Sequence, residues 1–436
     1  MMRAVLIGAA TAATVVAVAA CGQDEARKAS ISPATPIDAS GCSKVTYGGK
    51  GRPDFLIAAS TALHGQFIEH GVQNSQAIKL VLAQRDWRAG EYSVGLQICD
   101  EVAATGDTAG PARCRRNARA FVRNRSVLAV LGPMFSGCAL EMLPILNRAS
   151  GGPLPAISGS PTYLGLTRSG PGVEPGDPAR NSPTGQRSFV RIVPADDVQG
   201  AAGALFAQRE GARRAFVLND GDSYGSGVAG AFRVAARRSG MLVVGTGTWN
   251  PKSSDYRALA QRVRRARADA VYLGGYVSSN GPRLVKDLRD ALGPEAELVG
   301  PDGFNQPAPI VEGAGAGAEG FSPTIAVLPN DRLPAAGREF AADFVERFSA
   351  RPCCFSVHFA QAAQMTLDAI ADSDGSRAQV LERLFDARVE DGLIGEFEID
   401  RFGDTTLSTI GVYRIEGGRL RFKTAITPPD EILARE

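Results

Sequence analysis

Two polar turns carry residues whose types and spacing could hold a small molecule. In LGPMFSGC, Ser136 follows the Gly132-Pro133 stop and precedes Leu140, Leu143 and Leu146 at helical spacing, so it is expected to cap a helix. A helix N-terminus carries positive partial charge, and Ser136 there suits an anion such as a carboxylate. Downstream, Ser158-Gly159-Ser160-Pro161-Thr162 closes the short apolar run Leu154–Ile157 with small hydroxyls. In an open α/β sheet both turns would sit at the carboxyl ends of neighbouring parallel strands, where ligands bind. Taken singly, each is also what an ordinary strand-to-helix turn looks like.

Catalytic alternatives are weaker. Gly221-Asp222-Ser223-Tyr224-Gly225 fits the GxSxG nucleophile elbow, but a triad needs an acid and then a histidine further on. Only His358 follows, and it falls inside a helical pattern, so a serine hydrolase is the least favoured reading. Gly225–Gly230 fits GxGxxG, yet six residues separate it from the strand end near Leu218 and no acid follows to hold a ribose. It reads as small residues for helix packing. There is no P-loop, no HExxH, no CxxC and no Cys/His spacing for zinc, so neither a metal nor a cofactor is expected.

The elements that would position these turns come in a regular order. Strands are expected at Phe55–Ala59, Tyr92–Ile98 and Val127–Leu131, with helices at His70–Arg85 and Ala112–Asn124 between them. A Gly/Pro/Ser/Arg-rich stretch, Gly165–Arg187, then interrupts, either draping over a cleft or lacking order. A second alternating block runs from Phe189–Val193 through the helix Gly200–Arg209 to the strand Glu297–Gly300, and helices follow at Ala335–Phe348, Val357–Ala371 and Arg377–Phe385. Gly417-Gly418 sets a hairpin of Thr409–Ile415 with Arg419–Ala425. Within the second block, Asn219–Tyr224, Gly274–Tyr276 and Gly300–Asp302 end strands or begin helices with polar groups. The fold class is α/β, with two doubly wound lobes and a cleft between them. At 436 residues, with 44% hydrophobic and 22% charged residues and a net charge of +2, the chain has material for a large core and no nucleic-acid surface.

The N-terminus points outward from the cytoplasm. After Arg3, the next 17 residues carry no charge and end in Val18-Ala19-Ala20, directly before Cys21. This reads as a signal peptide over residues 1–20 rather than a plain membrane anchor, and it resembles the lipobox of bacterial lipoproteins, which would make Cys21 the lipidated residue. Residues 21–51 are expected to be a flexible tether. Six further cysteines, Cys42, Cys99, Cys114, Cys138, Cys353 and Cys354, permit three disulfides with 15 connectivities. Cys99 with Cys114 is the favoured pair, and adjacent Cys353 and Cys354 are expected to reach different partners.

In order along the chain, HGVQNSQAIKLVLAQ, LGPMFSGC, ISGSPT, NDGDSYGSG, VYLGGY and VGPDG resemble the type I periplasmic binding proteins, specifically the leucine/isoleucine/valine-binding branch that serves ABC importers. The 52-residue separation of Tyr224 from Tyr276 fits that family too. The resemblance, spanning about Asp54 to Arg421, implies three hinge crossings, near Arg191–Ala195, Phe321–Ile325 and Glu398–Asp404. The lobes would be 52–192 plus 323–398 and 193–322 plus 399–425. It further implies that Ser136 binds a ligand carboxylate, a Ser160 carbonyl meets the ammonium, and Thr162 binds the polar head. Asp302, where relatives often carry Glu, would pair with the ammonium, while Tyr224 and Tyr276 approach from the second lobe. His70, at a position often aromatic, would border the side-chain pocket and suggests a more polar ligand. The implied protein is a lipid-anchored extracytoplasmic solute-binding protein, with an ABC permease as partner. A ligand sensor of the same fold is the alternative.

Overall fold

The computed structural model describes residues 32–102 and 106–434. The signal peptide and Cys21 lie outside the described residues. The first sheet contains β1 (Phe55–Thr61), β2 (Arg88–Ala89), β3 (Tyr92–Asp100), β4 (Val127–Leu131), β5 (Ala156–Ser158) and β6 (Phe189–Arg191), in the order β2-β3-β1-β4-β5-β6. All of its pairings are parallel except the β2–β3 hairpin. Its strands are near-continuous apolar runs because helices cover both faces: VLAVL in β4 is buried throughout. Helices α1 (Ile68–Gln84), α2 (Pro111–Arg123) and α3 (Ser136–Asn147) connect these strands, and the short α4 (Asp177–Asn181) precedes β6.

The second sheet takes β7 (Arg214–Asn219), β8 (Leu242–Thr248), β9 (Ala270–Gly274), β10 (Glu297–Gly300) and β11 (Ser322–Ile325), all parallel, alternating with α5 (Asp196–Arg209), α6 (Ser223–Arg238), α7 (Arg257–Arg265), α8 (Gly281–Leu292) and α9 (Pro307–Ala314). After α10 (Ala335–Phe348), α11 (Ser356–Ala371) and α12 (Arg377–Phe385) come a two-stranded pair, β12 (Arg388–Val389) and β13 (Phe397–Glu398). The hairpin β14 (Ile410–Glu416) and β15 (Arg419–Ile426) then completes the order β15-β14-β11-β10-β9-β7-β8. The fold is thus the α/β arrangement read from the sequence, with two parallel-centred sheets.

Several expectations are corrected. Residues 321–325 are not a crossing: Ser322–Ile325 is a strand of the second sheet, held parallel to β10, so the chain returns toward α10 only after Ile325 and a boundary at 323 falls too early. Residues 32–51 are not a free tether. Cys42 and Thr46 bridge antiparallel to Cys99 and Leu96, Ala34 and Ile37 are buried, and Gln97 Oε1 accepts from the Ile37 N–H at 2.7 Å. That docking sets the disulfides: Cys42 pairs with Cys99 because it runs beside β3, and Cys114 on α2 pairs with Cys138 on the neighbouring α3. Cys353 and Cys354 bridge each other, with Cys354 in the left-handed region at φ 62°. Gly165–Arg187 is ordered as a strap rather than an unstructured loop. Tyr163 Oη donates to Asp177 at 2.8 Å, Asn181 donates to the Gly165 carbonyl at 3.1 Å, and Gly172 sits directly against Gly230 on α6.

Candidate ligand-binding site

Both sheets present the carboxyl ends of their strands to one cavity. From the first come the β4 turn with Met134, Phe135 and Ser136, the β5 turn with Ser160, Pro161 and Thr162, and Phe67 and His70 at the start of α1. From the second come Tyr224 after β7, Tyr276 after β9, and Asp302 with Gly303 after β10; Phe355 closes the lining. The seven residues singled out in the sequence, His70, Ser136, Ser160, Thr162, Tyr224, Tyr276 and Asp302, therefore all border one space, although they span 233 positions (302 − 70 + 1).

The first wall is tied down by buried polar bonds. Phe135 is the N-cap of α3 and Ser136 its first residue, so the serine does not cap the helix as expected. Its Oγ instead accepts from the Tyr163 N–H at 3.2 Å, because the β5 turn lies against the helix start. Glu101, fully buried at the end of β3, accepts from the Met134 and Phe135 N–H groups at 2.9 Å each and from Ser60 Oγ at 2.7 Å. Burial pushes its carboxyl up to about 7 against those hydrogen bonds. Arg191, also fully buried, donates to the carbonyls of Thr162 and Tyr163 at 3.0 and 2.8 Å and pairs with Asp404 at 2.7 Å. One guanidinium thus fixes the β5 turn to two of the segments running between the sheets. Burial opposes ionisation of Asp404, but Arg191 and Arg168 hold its pKa below the usual value.

The second wall is acidic and aromatic. Tyr224 Oη donates to Asp302 Oδ1 at 3.0 Å and accepts from the Gly303 N–H at 2.9 Å. Burial raises the Asp302 carboxyl to about 6. Asp220 accepts from the Tyr276 N–H at 3.2 Å and Ser279 Oγ at 2.8 Å; Gly275 is required there, since a Cβ would stand 2.5 Å from an Asp220 oxygen. Tyr276 bridges the walls, its ring 4.8 Å from Tyr224 and 5.9 Å from both Phe67 and Phe135. Edge-on packing of this kind adds about 0.5–1.5 kcal/mol per pair beyond burial.

Sequence reasoning missed Phe67, Phe135, Glu101 and Asp196. Asp196 opens α5, four residues before the expected helix start at Gly200. Its carboxylate is fully buried, makes no hydrogen bond of normal geometry among the described residues, and is raised well above its usual pKa by burial, with Asp302 adding repulsion. Two acids opening a helix directly after Val193-Pro194-Ala195 was the available signal. Ser223 and His358 belong to different halves of the fold, on α6 and α11, and no described hydrogen bond joins them. The GxGxxG glycines serve packing: a Cβ on Gly225 would meet the Gly274 carbonyl at 2.6 Å.

Two wound sheets with a polar cleft at their strand ends define a bilobal binding protein. The profile described as "Periplasmic binding protein" matches residues 98–419, and the chain belongs to that family, whose members are extracytoplasmic. A Leu/Ile/Val-binding protein of Rhizobium johnstonii is 25% identical over 371 residues, covering 84% of this chain and 93% of its own. A leucine-, isoleucine-, valine-, threonine- and alanine-binding protein of Pseudomonas aeruginosa is 30% identical over 142 residues, 32% of this chain and 37% of that protein. Among solved structures, a leucine-binding protein of Thermotoga maritima superposes with a TM-score of 0.72 at 21% identity, covering 86% of this chain and 99% of that one. A Rhodopseudomonas palustris solute-binding protein in complex with benzoate does so at 0.68 and 17%, covering 87% and 99%. These structures establish the type I periplasmic binding fold, and the solved proteins that share it include substrate-binding proteins of ABC transporters.

Proposed function

We propose that the protein captures an α-amino acid, branched-chain-like or more polar, and delivers it to an ABC importer while held at the outer face of the cytoplasmic membrane by a lipid on Cys21. The observation that carries this reading is the opposition of two chemistries across one cavity. Ser136, at the start of α3 with the helix dipole behind it, faces a ligand carboxylate, and the Ser160 and Thr162 turn takes the polar head. Asp302 on the opposite wall pairs with the ammonium. Charge-assisted hydrogen bonds to both ends of a zwitterion, shut away from water, give strong and selective binding. Closure is a hinge motion about the segments between the sheets, favoured by contacts that the ligand makes to both walls. The role is capture and delivery rather than turnover.

Isothermal calorimetry of the purified protein against leucine and benzoate tests the zwitterion requirement. Leucine is expected to bind, and Asp302→Ala to abolish the heat. Tight benzoate binding without leucine binding would replace the amino acid with a simple carboxylate ligand. Labelling with a radioactive fatty acid, lost in Cys21→Ala, tests the anchor.

A further inference from the structure

The cavity between the walls leaves free space of about 20 Å3, room for one or two water-sized groups, so an amino-acid head enters only when the walls part about the hinge. On the far side of His70 lies a wider recess of about 550 Å3, also walled from both halves of the fold. His70 is common to both linings. Its ring is neutral, since burial lowers its pKa to about 4. Among the described residues it makes no side-chain hydrogen bond, only an edge-on contact with Phe67 at 5.4 Å. His70 is therefore the partition between the two spaces.

The recess has a distinct chemistry. Pro307, Pro309 and the Cys353–Cys354 disulfide give apolar walls, and Phe355, next in sequence, lines the inner cavity. Gln66, Asn305 and Gln306 bring carboxamides, and Gln306 Nε2 already donates across the cleft to the Gln66 carbonyl at 3.2 Å. Among the described residues no Lys or Arg lines the recess, and Glu69 is its one acid. Such a space accepts an apolar stem ending in a neutral hydrogen-bonding group, and disfavours an anionic one.

We infer that the recess is a second subsite for the ligand's side chain, entered past His70, and that the ligand is an α-amino acid with an elongated, neutral, amide-bearing side chain. This rests on the amino-acid reading of the inner cavity. The test is calorimetry with leucine, glutamate and N5-ethylglutamine on the wild type and on Ala308→Trp, an exposed site on the rim of the recess. N5-ethylglutamine is expected to bind at least tenfold more tightly than leucine, and glutamate more weakly than either. Ala308→Trp is expected to weaken N5-ethylglutamine at least tenfold while leaving leucine within twofold. Leucine binding as tightly as N5-ethylglutamine, or an Ala308→Trp effect equal on both, overturns the subsite alone. Absence of heat from all three amino acids overturns the amino-acid reading, and the subsite with it.

Discussion

The phenol of Tyr224 sits between a carboxylate and a backbone amide, donating to Asp302 Oδ1 at 3.0 Å and accepting from Gly303 N–H at 2.9 Å. Burial pushes the phenol well above its usual pKa, so it remains a donor at every working pH. The one acid proposed to meet the ligand ammonium is therefore aimed by a residue 78 positions earlier in the chain.

Tyr224→Phe keeps the ring stack on Tyr276 and removes the donor. A hydrogen bond to a charged group is worth about 1.5–3 kcal/mol, so the amino-acid Kd should rise roughly 10- to 100-fold. Calorimetry reads this directly; an unchanged Kd would mean that the Tyr224 bond does not aim Asp302 at the ligand.

Affinity should depend on pH through Asp302. Its pKa of about 6 in the free protein must fall when an ammonium arrives, because a cation favours the ionised carboxylate. Binding is then at full strength above pH 6 and weakens as pH falls through 6, by about tenfold at pH 5. The same shift acts oppositely on folding. A carboxyl raised above its unfolded value costs stability above pH 6, and that cost fades as pH falls from 6 toward 4. Proton release on binding, measured near pH 6 in buffers of different ionisation enthalpy, checks the first statement, and thermal melts of the free protein check the second.

Glu101 holds the loop before Ser136 by its backbone, so it positions the anion site without touching the ligand. Glu101→Ala removes the acceptor and leaves the buried Met134 and Phe135 N–H groups unpaired, at a cost of about 1–3 kcal/mol. Urea unfolding should show that loss, with a weaker Kd beside it.

Arg191 and Asp404 form a buried pair, and removing one partner strands the other. Asp404→Ala should destabilise the protein by about 3–5 kcal/mol in urea unfolding, more than Ala at the exposed Lys286–Asp290 pair.

The Cys42–Cys99 bridge staples the N-terminal segment to β3 across 57 positions. Cys42→Ala should cost about 2–4 kcal/mol of stability, and thiol counting on the oxidised protein should find none of the six cysteines between 42 and 354 free.

The alternation of strands and helices was legible because parallel strands covered on both faces must be apolar runs, and Val127–Leu131 and Ala270–Gly274 are such runs. The polar strand ends were legible as a set, in order along the chain. Neither Asp196 nor Glu101 was. A buried acid has the same letter as a surface one, and only packing shows that Glu101 reaches three donors from other elements while Asp196 reaches no well-formed one. The cysteine partners were illegible for the same reason: Cys99 lies nearer Cys114 in sequence, but its neighbour in space is the segment that docks on β3.

Local patterning by itself determined the α/β class, the two wound blocks and the turns that carry Ser136, Ser160, Thr162, Tyr224, Tyr276 and Asp302, because hydrophobic period and turn chemistry act over a few residues. The tertiary structure decided what those turns face. It put Ser322–Ile325 into the second sheet, closed Cys353 onto Cys354, and set His70 between a narrow cavity and a wide recess. Those outcomes depend on contacts between residues far apart in the chain, which no local pattern records.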